Sequence, residues 1–155
     1  MSACTDSIFS LPAFSPVLKG RGIPVVLDTN IVLDVFVFSA VASRPLKNAL
    51  QAGEVDWVAT QAMRDELARV LTYPKIVARL DFYQLSALHV LDGFDQHARL
   101  TEVAAKASAI CSDPDDQKFI DLAVAQRALL LSKDQAIISM KKRLMNLGLR
   151  VQVAI

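Results

Sequence analysis

The sequence has few cysteines and no long uninterrupted apolar run. Cys4 and Cys111 are its only cysteines, and they show neither a paired spacing nor the spacing of a metal site. A disulfide framework is not indicated, and a reducing cytoplasm is the simplest location for the chain. The longest apolar segment, residues 31–41, is interrupted by Asp34 and Ser39, whereas a membrane helix needs about 20 apolar residues. We therefore expect no membrane span.

An excess of charge of either sign is also missing. The chain has 17 Lys and Arg against 16 Asp and Glu, which gives a net charge of +1, so no strong overall field attracts nucleic acid. Binding of nucleic acid would depend on a local patch. Residues 1–22 lack the basic start and unbroken apolar stretch of a signal peptide. We predict an extension of uncertain order in residues 1–22 and a single folded domain in residues 23–155.

Strand-like runs alternate with longer helical patterns along the predicted domain. The runs are PVVLD, VDWVAT, ALLLS and RVQVA. Between them, QAMRDELARVL has Thr60 as a possible N-cap, SDPDDQKFIDLAVAQ has Asp113 in that place, and DQAIISMKKRLMNLG predicts a last helix that ends at Gly148. Such alternation is typical of a parallel sheet covered by helices, so we predict the α/β class.

Two acidic side chains follow strand-like runs closely. Asp28 ends VVLD, and Asp134 ends LLLSKD. In a parallel sheet both lie at the carboxyl edge, where open α/β sheets place their sites. Asp116 begins the helix before ALLLS, and Glu66 lies on the border of an apolar helix stripe, so both can reach the same edge. We expect these four carboxylates to converge.

Four converging carboxylates need a counter-charge, because each one raises the pKa of the others. A divalent cation would supply it. Ligands that are all oxygen, with no histidine or cysteine nearby, favour Mg²⁺ or Mn²⁺ over Zn²⁺. Magnesium held by carboxylates is typical of enzymes that hydrolyse phosphodiesters.

Each acid also has a structural interpretation. The aspartates of SDPDD are what an ordinary helix start looks like, since carboxylates there favour the free N–H groups. Glu66 could pair with a neighbouring arginine, and Asp134 could cap the helix that follows it. Asp28 is the hardest to explain by capping alone, because it ends a buried strand.

Four segments in this order resemble the PIN-domain family, in particular its bacterial branch of toxin components of toxin-antitoxin pairs (VapC-like). They are VVLDTNIVLDVF, MRDELARVLTYPKI, SDPDDQKFIDLAVA and LLLSKD. The resemblance extends from about Val25 to the C-terminus. It implies a three-layer α/β/α sandwich with a central, mainly parallel sheet.

The resemblance also implies an activity, that of an endoribonuclease dependent on Mg²⁺ or Mn²⁺. The family's acidic quartet corresponds to Asp28, Glu66, Asp116 and Asp134, which are expected to be catalytic and to hold the metal, with Glu66 either ligating it or orienting the attacking water. Three further positions match residues that support the acids by hydrogen bonding: Thr29, Asn30 and Ser132. The family often has another acid where this sequence has Ala136, which leaves a second metal site open.

RNA must also be held, normally by phosphate contacts from lysine and arginine. The candidates are Arg64, Arg69, Lys75, Lys133, Lys141, Lys142 and Arg143. The alternative for each is an ordinary solvated helix face. The resemblance further implies a homodimer and a cognate antitoxin that inserts a segment near the acids.

Two other functions compete with the nuclease. A phosphatase of the haloacid dehalogenase type also begins with an aspartate after a buried strand, but it needs a second acid where this sequence has Asn30. The other alternative is a binding module for RNA or a protein partner that keeps the PIN fold without strong activity. Ala136 leaves that alternative open.

Overall fold

The computed structural model describes residues 22–155, so the predicted extension, residues 1–22, lies outside the described residues apart from Gly22. Five strands of the described part form one parallel sheet: β1 (Ile23–Leu27), β2 (Val55–Thr60), β3 (Ala98–Thr101), β4 (Leu129–Leu131) and β5 (Val151–Gln152). Their order is β3-β2-β1-β4-β5. All neighbouring pairs are parallel, as the alternating sequence pattern predicts.

Helices cover both faces of the sheet and complete a three-layer α/β/α fold. They are α1 (Thr29–Phe36), α2 (Arg44–Ala52), α3 (Gln61–Val70), α4 (Pro74–Phe82), α5 (Ala87–His97), α6 (Gln117–Gln126), α7 (Gln135–Ile138) and α8 (Lys141–Asn146). Single 3₁₀ turns at Val41–Ser43 and Pro114–Asp116 precede α2 and α6. The predicted fold class is confirmed.

The central strand is apolar without alternation because both of its faces are covered. Val25, Val26 and Leu27 are all buried, which is usual for a parallel strand between two helix layers. Beside it in β2, buried Trp57 packs with its ring centroid 4.9 Å from that of Phe94. The end of β1 and the Asp28 that follows it are therefore buried in the interior of the fold.

The strand order creates a crevice at the carboxyl edge of the sheet. From β1 the chain moves to β2 and β3 on one side, and later returns to place β4 and β5 on the other. The chain therefore leaves β1 and β4 in opposite directions, and ligands of open α/β sheets bind at such a switch point. Leu27 pairs with Leu131 there, so the residues after these two strands are neighbours.

Three local features differ from the sequence predictions. The predicted last helix breaks at Ser139 and Met140 into α7 and α8. At the break, the Met140 N–H donates to the carbonyl of Ile137, three residues earlier, at 2.9 Å. Thr60 occupies the N-cap position of α3, but its side chain accepts no capping hydrogen bond. The edge strand β3 was not predicted, since it follows α5 without a turn signal.

No single helix among residues 22–155 is long and apolar enough to cross a membrane. Two consecutive helical segments are long and apolar enough only when taken together, and the chain bends by 100° between them: Thr29–Phe36 and Val41–Ala52.

Candidate metal centre

The three predicted aspartates lie at element boundaries that meet at the carboxyl edge of the sheet. Asp28 follows β1, and its backbone N–H donates to the Leu131 carbonyl at 3.0 Å. Asp134 is the N-cap of α7 and accepts from the Ala136 amide at 2.9 Å. Asp116 ends the 3₁₀ turn before α6. Each carboxylate is thus placed by a strand end or a helix start.

These boundaries bring the three carboxylates together. Asp28, Asp116 and Asp134 each offer one oxygen, and the three oxygens lie within 4.8 Å of one another. Asp28 and Asp116 are buried and Asp134 is half-buried. The convergence predicted from the sequence is therefore present for these three acids.

Ser132 connects two members of the cluster. Its buried hydroxyl donates to Asp28 Oδ2 at 2.7 Å and accepts from the Asp134 backbone N–H at 3.0 Å. A hydroxyl has one hydrogen and two lone pairs, so both contacts are available to it at once. Ser132 thereby sets the orientation of Asp28 relative to the start of α7.

Burial and the neighbouring acids raise the pKa of two members of the cluster, Asp116 and Asp28. The pKa of Asp116 rises from 3.8 to about 7, first through burial and then through the hydrogen bond and negative charge of Asp134. Burial also raises the pKa of Asp28, and the hydrogen bond from Ser132 opposes this. Within the described residues, Asp116 Oδ2 is buried without a hydrogen-bond partner. Mutual repulsion of the acids therefore adds to the cost of burying them.

Glu66 reaches the same pocket but is held by two other side chains. The Thr29 hydroxyl donates to Glu66 Oε2, and Lys118 Nζ donates to Glu66 Oε1 at 2.6 Å. Lys118 also donates to the Asp115 carbonyl at 2.5 Å. Both carboxylate oxygens of Glu66 are thus engaged, and the residue stands beside the three-aspartate cluster rather than within it.

The acids open onto a pocket of about 180 Å³. It is lined by Asp28, Thr29, Asn30, Glu66, Arg69, Val70, Tyr73, Asp115, Asp116 and Asp134. All four predicted acids and two of the three predicted supporting residues, Thr29 and Asn30, face this space. The third, Ser132, lies fully buried behind them.

A sequence model for the PIN domain matches residues 24–136, which is most of the chain. The chain belongs to the PIN-domain family. Members of the family are generally nucleases that use divalent metal ions, so the carboxylate cluster lies where such an ion would be needed. The resemblance predicted from the four sequence segments is confirmed.

The PIN domain also has the fold of a solved chain. That chain is part of the crystal structure of VapBC2 from Rickettsia felis bound to a DNA fragment from their promoter. The TM-score is 0.58 at 16% sequence identity, and the match covers 84% of this chain and 98% of that chain. No curated protein sequence matches the chain.

The donor set of this PIN domain fits a divalent cation. Its ligands are carboxylate oxygens, which hard ions prefer. The buried, partnerless Asp116 Oδ2 would gain a partner from an ion held between the three aspartates. A bound cation would also offset the repulsion that Asp134 exerts on Asp28 and Asp116, and this would add to the affinity.

The structure brings one of the seven predicted RNA-binding residues to the pocket, namely Arg69. Arg64 forms two hydrogen bonds with Asp95, at 2.7 and 2.8 Å, and Lys133 pairs with Asp34. The remaining four, Lys75, Lys141, Lys142 and Arg143, are exposed and lie outside the pocket lining.

Sequence reasoning missed Lys118, Tyr73 and Val70 as parts of the site. Lys118 and Glu66 are 52 residues apart, so no short spacing connects them. The available signal is that Lys118 lies in the first turn of the helix that Asp116 begins. The structure also replaces the arginine partner considered for Glu66 with Lys118.

Proposed function

We propose that this PIN domain is an endoribonuclease that hydrolyses RNA phosphodiester bonds with Mg²⁺ or Mn²⁺. The observation that supports it is the three-aspartate cluster, whose oxygens lie within 4.8 Å of one another around a buried, partnerless Asp116 Oδ2. Carboxylate-held divalent ions are the usual means of phosphodiester hydrolysis. The PIN-domain family provides the independent argument.

The residues of the site divide between holding the metal and positioning the reaction. Asp28, Asp116 and Asp134 would hold the ion, which neutralises charge on the phosphate and makes a water more acidic. Ser132 orients Asp28 through their 2.7 Å hydrogen bond. We assign Glu66 to orienting the attacking water rather than to ligating the ion, because it stands beside the three-aspartate cluster and both of its oxygens already accept hydrogen bonds.

We further propose that the protein is the toxin component of a toxin-antitoxin pair and acts in the cytoplasm. Its sequence segments resemble that branch of the family, and its fold is that of a chain in a VapBC2 structure. The expected partners are RNA, a cognate antitoxin and a second copy of the chain. Coexpression with the product of any small gene found beside this one tests this, since a true antitoxin should copurify with the protein and suppress RNA cleavage.

The test of the nuclease is cleavage of a mixed RNA pool in Mg²⁺, Mn²⁺ or EDTA. Wild type should cleave with either metal and not in EDTA. Asp28→Asn should reduce cleavage by at least about 100-fold, because it removes a charged ligand from the centre. Asp81→Asn is the matched control, since it deletes the same charge from an exposed position on α4 and should leave cleavage unchanged.

The results separate the nuclease from its alternative. Undiminished cleavage by Asp28→Asn would show that the activity comes from elsewhere. Absence of cleavage with every metal, in a folded protein free of antitoxin that still binds RNA, would favour the PIN-fold binding module. Ala136 is the sequence feature that favours the binding module, because the family often has another acid at that position.

A further inference from the structure

A second pocket, which we call the α2 pocket, lies between the end of α1 and the start of α2. Its volume is about 350 Å³. Its lining residues include Asp34 from α1 and Ser43, Arg44, Lys47 and Asn48 from the start of α2. None of the acids of the metal centre lines it. The α2 pocket is therefore a separate place on the molecule.

Two cations line the α2 pocket without a counter-charge. Arg44 is exposed and Lys47 is half-buried, and neither forms a salt bridge within residues 22–155. The acid of the pocket, Asp34, is already paired with Lys133. The lining therefore has two positive charges that no protein group neutralises in the described part of the chain.

The position of these cations is unfavourable for α2 itself. Arg44 is the first residue of the nine-residue helix and Lys47 is the fourth, and the first turn contains no acid. The N-terminus of a helix carries a partial positive charge, so cations there are repelled by the helix dipole. Residues three apart also lie on the same helix face, where their charges repel each other. A bound anion would offset both repulsions.

Ser43 gives an independent indication of a ligand. It lines the α2 pocket and is only 9% exposed. A serine at the N-cap position usually accepts a hydrogen bond from the helix backbone. The Ser43 hydroxyl makes no such bond and has no other hydrogen-bond partner among residues 22–155. Because an unpaired buried hydroxyl costs free energy, a ligand that accepts its hydrogen would stabilise the site.

We propose that Ser43, Arg44 and Lys47 form a binding site for a phosphate monoester. All three side chains offer hydrogen-bond donors, and two of them are charged, as phosphate oxygens require. A monoester has a charge of about −1.5 to −2 at pH 7, which matches the two unpaired cations. A phosphodiester within a nucleic-acid chain has about one negative charge. The inference goes beyond the proposed nuclease, since phosphate can bind here whether or not the aspartates cleave RNA.

A phosphate monoester can come from a free small molecule or from the phosphorylated end of an RNA chain. The α2 pocket is close to the metal centre through one ion pair. Lys133, which pairs with Asp34 of the pocket, directly precedes Asp134 of the metal centre in the sequence. The experiment therefore includes RNA ends as well as free phosphate.

The first measurement is an NMR titration of ¹⁵N-labelled protein with inorganic phosphate in EDTA at constant ionic strength. Without metal, the acids of the metal centre repel anions. Phosphate should shift the amide signals of Ser43, Arg44 and Lys47. The amide signals of Asp28 and Asp116 should stay in place.

A double variant and a matched control test the charges. Arg44→Ala with Lys47→Ala should weaken phosphate binding at least about tenfold, as expected when charged hydrogen-bond donors are lost. Lys106→Ala with Arg150→Ala removes the same two charges from exposed residues that do not line the α2 pocket. This control should bind phosphate as wild type does.

Ser43→Ala distinguishes a ligand donor from a structural residue. It should weaken phosphate binding about tenfold, which is typical of one lost hydrogen bond to a charged group. In phosphate-free buffer its urea midpoint should equal that of wild type, because the hydroxyl has no hydrogen bond to lose. A lower midpoint there would show that the hydroxyl acts within the fold, and this would overturn its assignment as a ligand donor.

The second measurement identifies the source of the phosphate. Fluorescence anisotropy in EDTA would compare one internally labelled, unstructured oligoribonucleotide with a 5′-phosphate, a 3′-phosphate or hydroxyls at both ends. If RNA ends bind in the α2 pocket, one phosphorylated form should bind at least about tenfold more tightly than the hydroxyl form. The double variant should abolish this preference. If the ligand is a free phosphate ester, inorganic phosphate shifts the three amides and all oligoribonucleotides bind alike.

Three results would overturn the proposal. The first is the absence of both the amide shifts and the preference for a phosphorylated end. The second is an equal loss of affinity in the double variant for all three oligoribonucleotides, which would indicate contacts with internal phosphodiesters. The third is an equal loss in the control, which would indicate general attraction by positive charge. None of them bears on the nuclease, whose test uses metal and the aspartate variants.

Discussion

Replacing Asp116 with asparagine should stabilise the protein in the absence of metal. Asp116 has its pKa raised from 3.8 to about 7, chiefly by burial and by Asp134. An acid with a higher pKa in the folded than in the unfolded state holds its proton more tightly when folded, so stability is lost as the pH rises from about 4 to about 7. Asparagine has no charge to bury, so the variant does not lose this stability as the pH rises.

The size of the effect follows from the shift. A change from 3.8 to about 7 corresponds to at most about 4 kcal/mol at 1.36 kcal/mol per unit. The pocket opens to solvent beside half-buried Asp134, and water screens the repulsion there, so we expect about 1–2 kcal/mol. For a domain of this size that gain raises Tm by about 2–8 °C.

Thermal and urea unfolding in EDTA at pH 8 and pH 4.5 would measure the effect. The gain should be present at pH 8 and mostly absent at pH 4.5. Asp115→Asn is the control, since it removes the same charge from an exposed side chain one position earlier. With Mn²⁺ at a hundred times its Kd the order should reverse, because binding adds about 2.7 kcal/mol to wild type and asparagine is a poor substitute ligand.

A destabilised Asp116→Asn variant at pH 8 in EDTA would refute the reasoning, because it would mean that the carboxylate stabilises the fold without a metal. An equal response of both proteins to Mn²⁺ would refute the assignment of Asp116 as a ligand.

Three other substitutions test two contacts of the site and one ion pair within the sheet. Ser132→Ala should lower the free energy of unfolding by about 1.5–3 kcal/mol, since Asp28 loses its 2.7 Å hydrogen bond; a urea titration within 0.5 kcal/mol of wild type would contradict this. Arg99→Ala leaves buried Asp56 without its 2.8 Å ion pair and should cost about 2 kcal/mol in the same assay. Lys118→Met frees one oxygen of Glu66 and should slow cleavage about 10- to 100-fold. The RNA affinity should be unchanged, and Lys118→Arg should restore the activity. An unchanged cleavage rate would show that this lysine only stabilises the fold.

The parts of the site that could be predicted were those governed by sheet geometry. Asp28 follows β1 and Asp134 closely follows β4, and paired parallel strands must bring such residues to one edge. Asp116 was placed by its position at the start of the helix leading into β4. The inferences for Asp28 and Asp134 need only the alternation of strands and helices and the direction of a parallel sheet. The choice of Asp116 over Asp115 depends in addition on its inward helix face and on the spacing to the last acid that is usual in the family.

The parts that could not be predicted depend on contacts between distant surfaces. Lys118 on α6 pairs with Glu66 on α3. In the sequence, a lysine in a first helical turn looks the same whether or not it has such a partner. The edge strand β3 continues from α5 without a breaker, so only its pairing with β2 reveals it. The break between α7 and α8 likewise follows from packing, with Ile137, Met140 and Leu144 all buried around it.

The distance along the chain between Asp28 and Ser132 has a consequence for synthesis. Their hydrogen bond joins positions 104 residues apart. Since β1 is the central strand, the carboxyl edge of the sheet beside it is complete only after β4 has been synthesised and has paired with it. At about 5–20 residues per second, a ribosome needs about 5–20 s to add the residues between Asp28 and Ser132. The carboxyl edge that holds Asp28, Ser132 and Asp134 is therefore incomplete until most of the chain has been made.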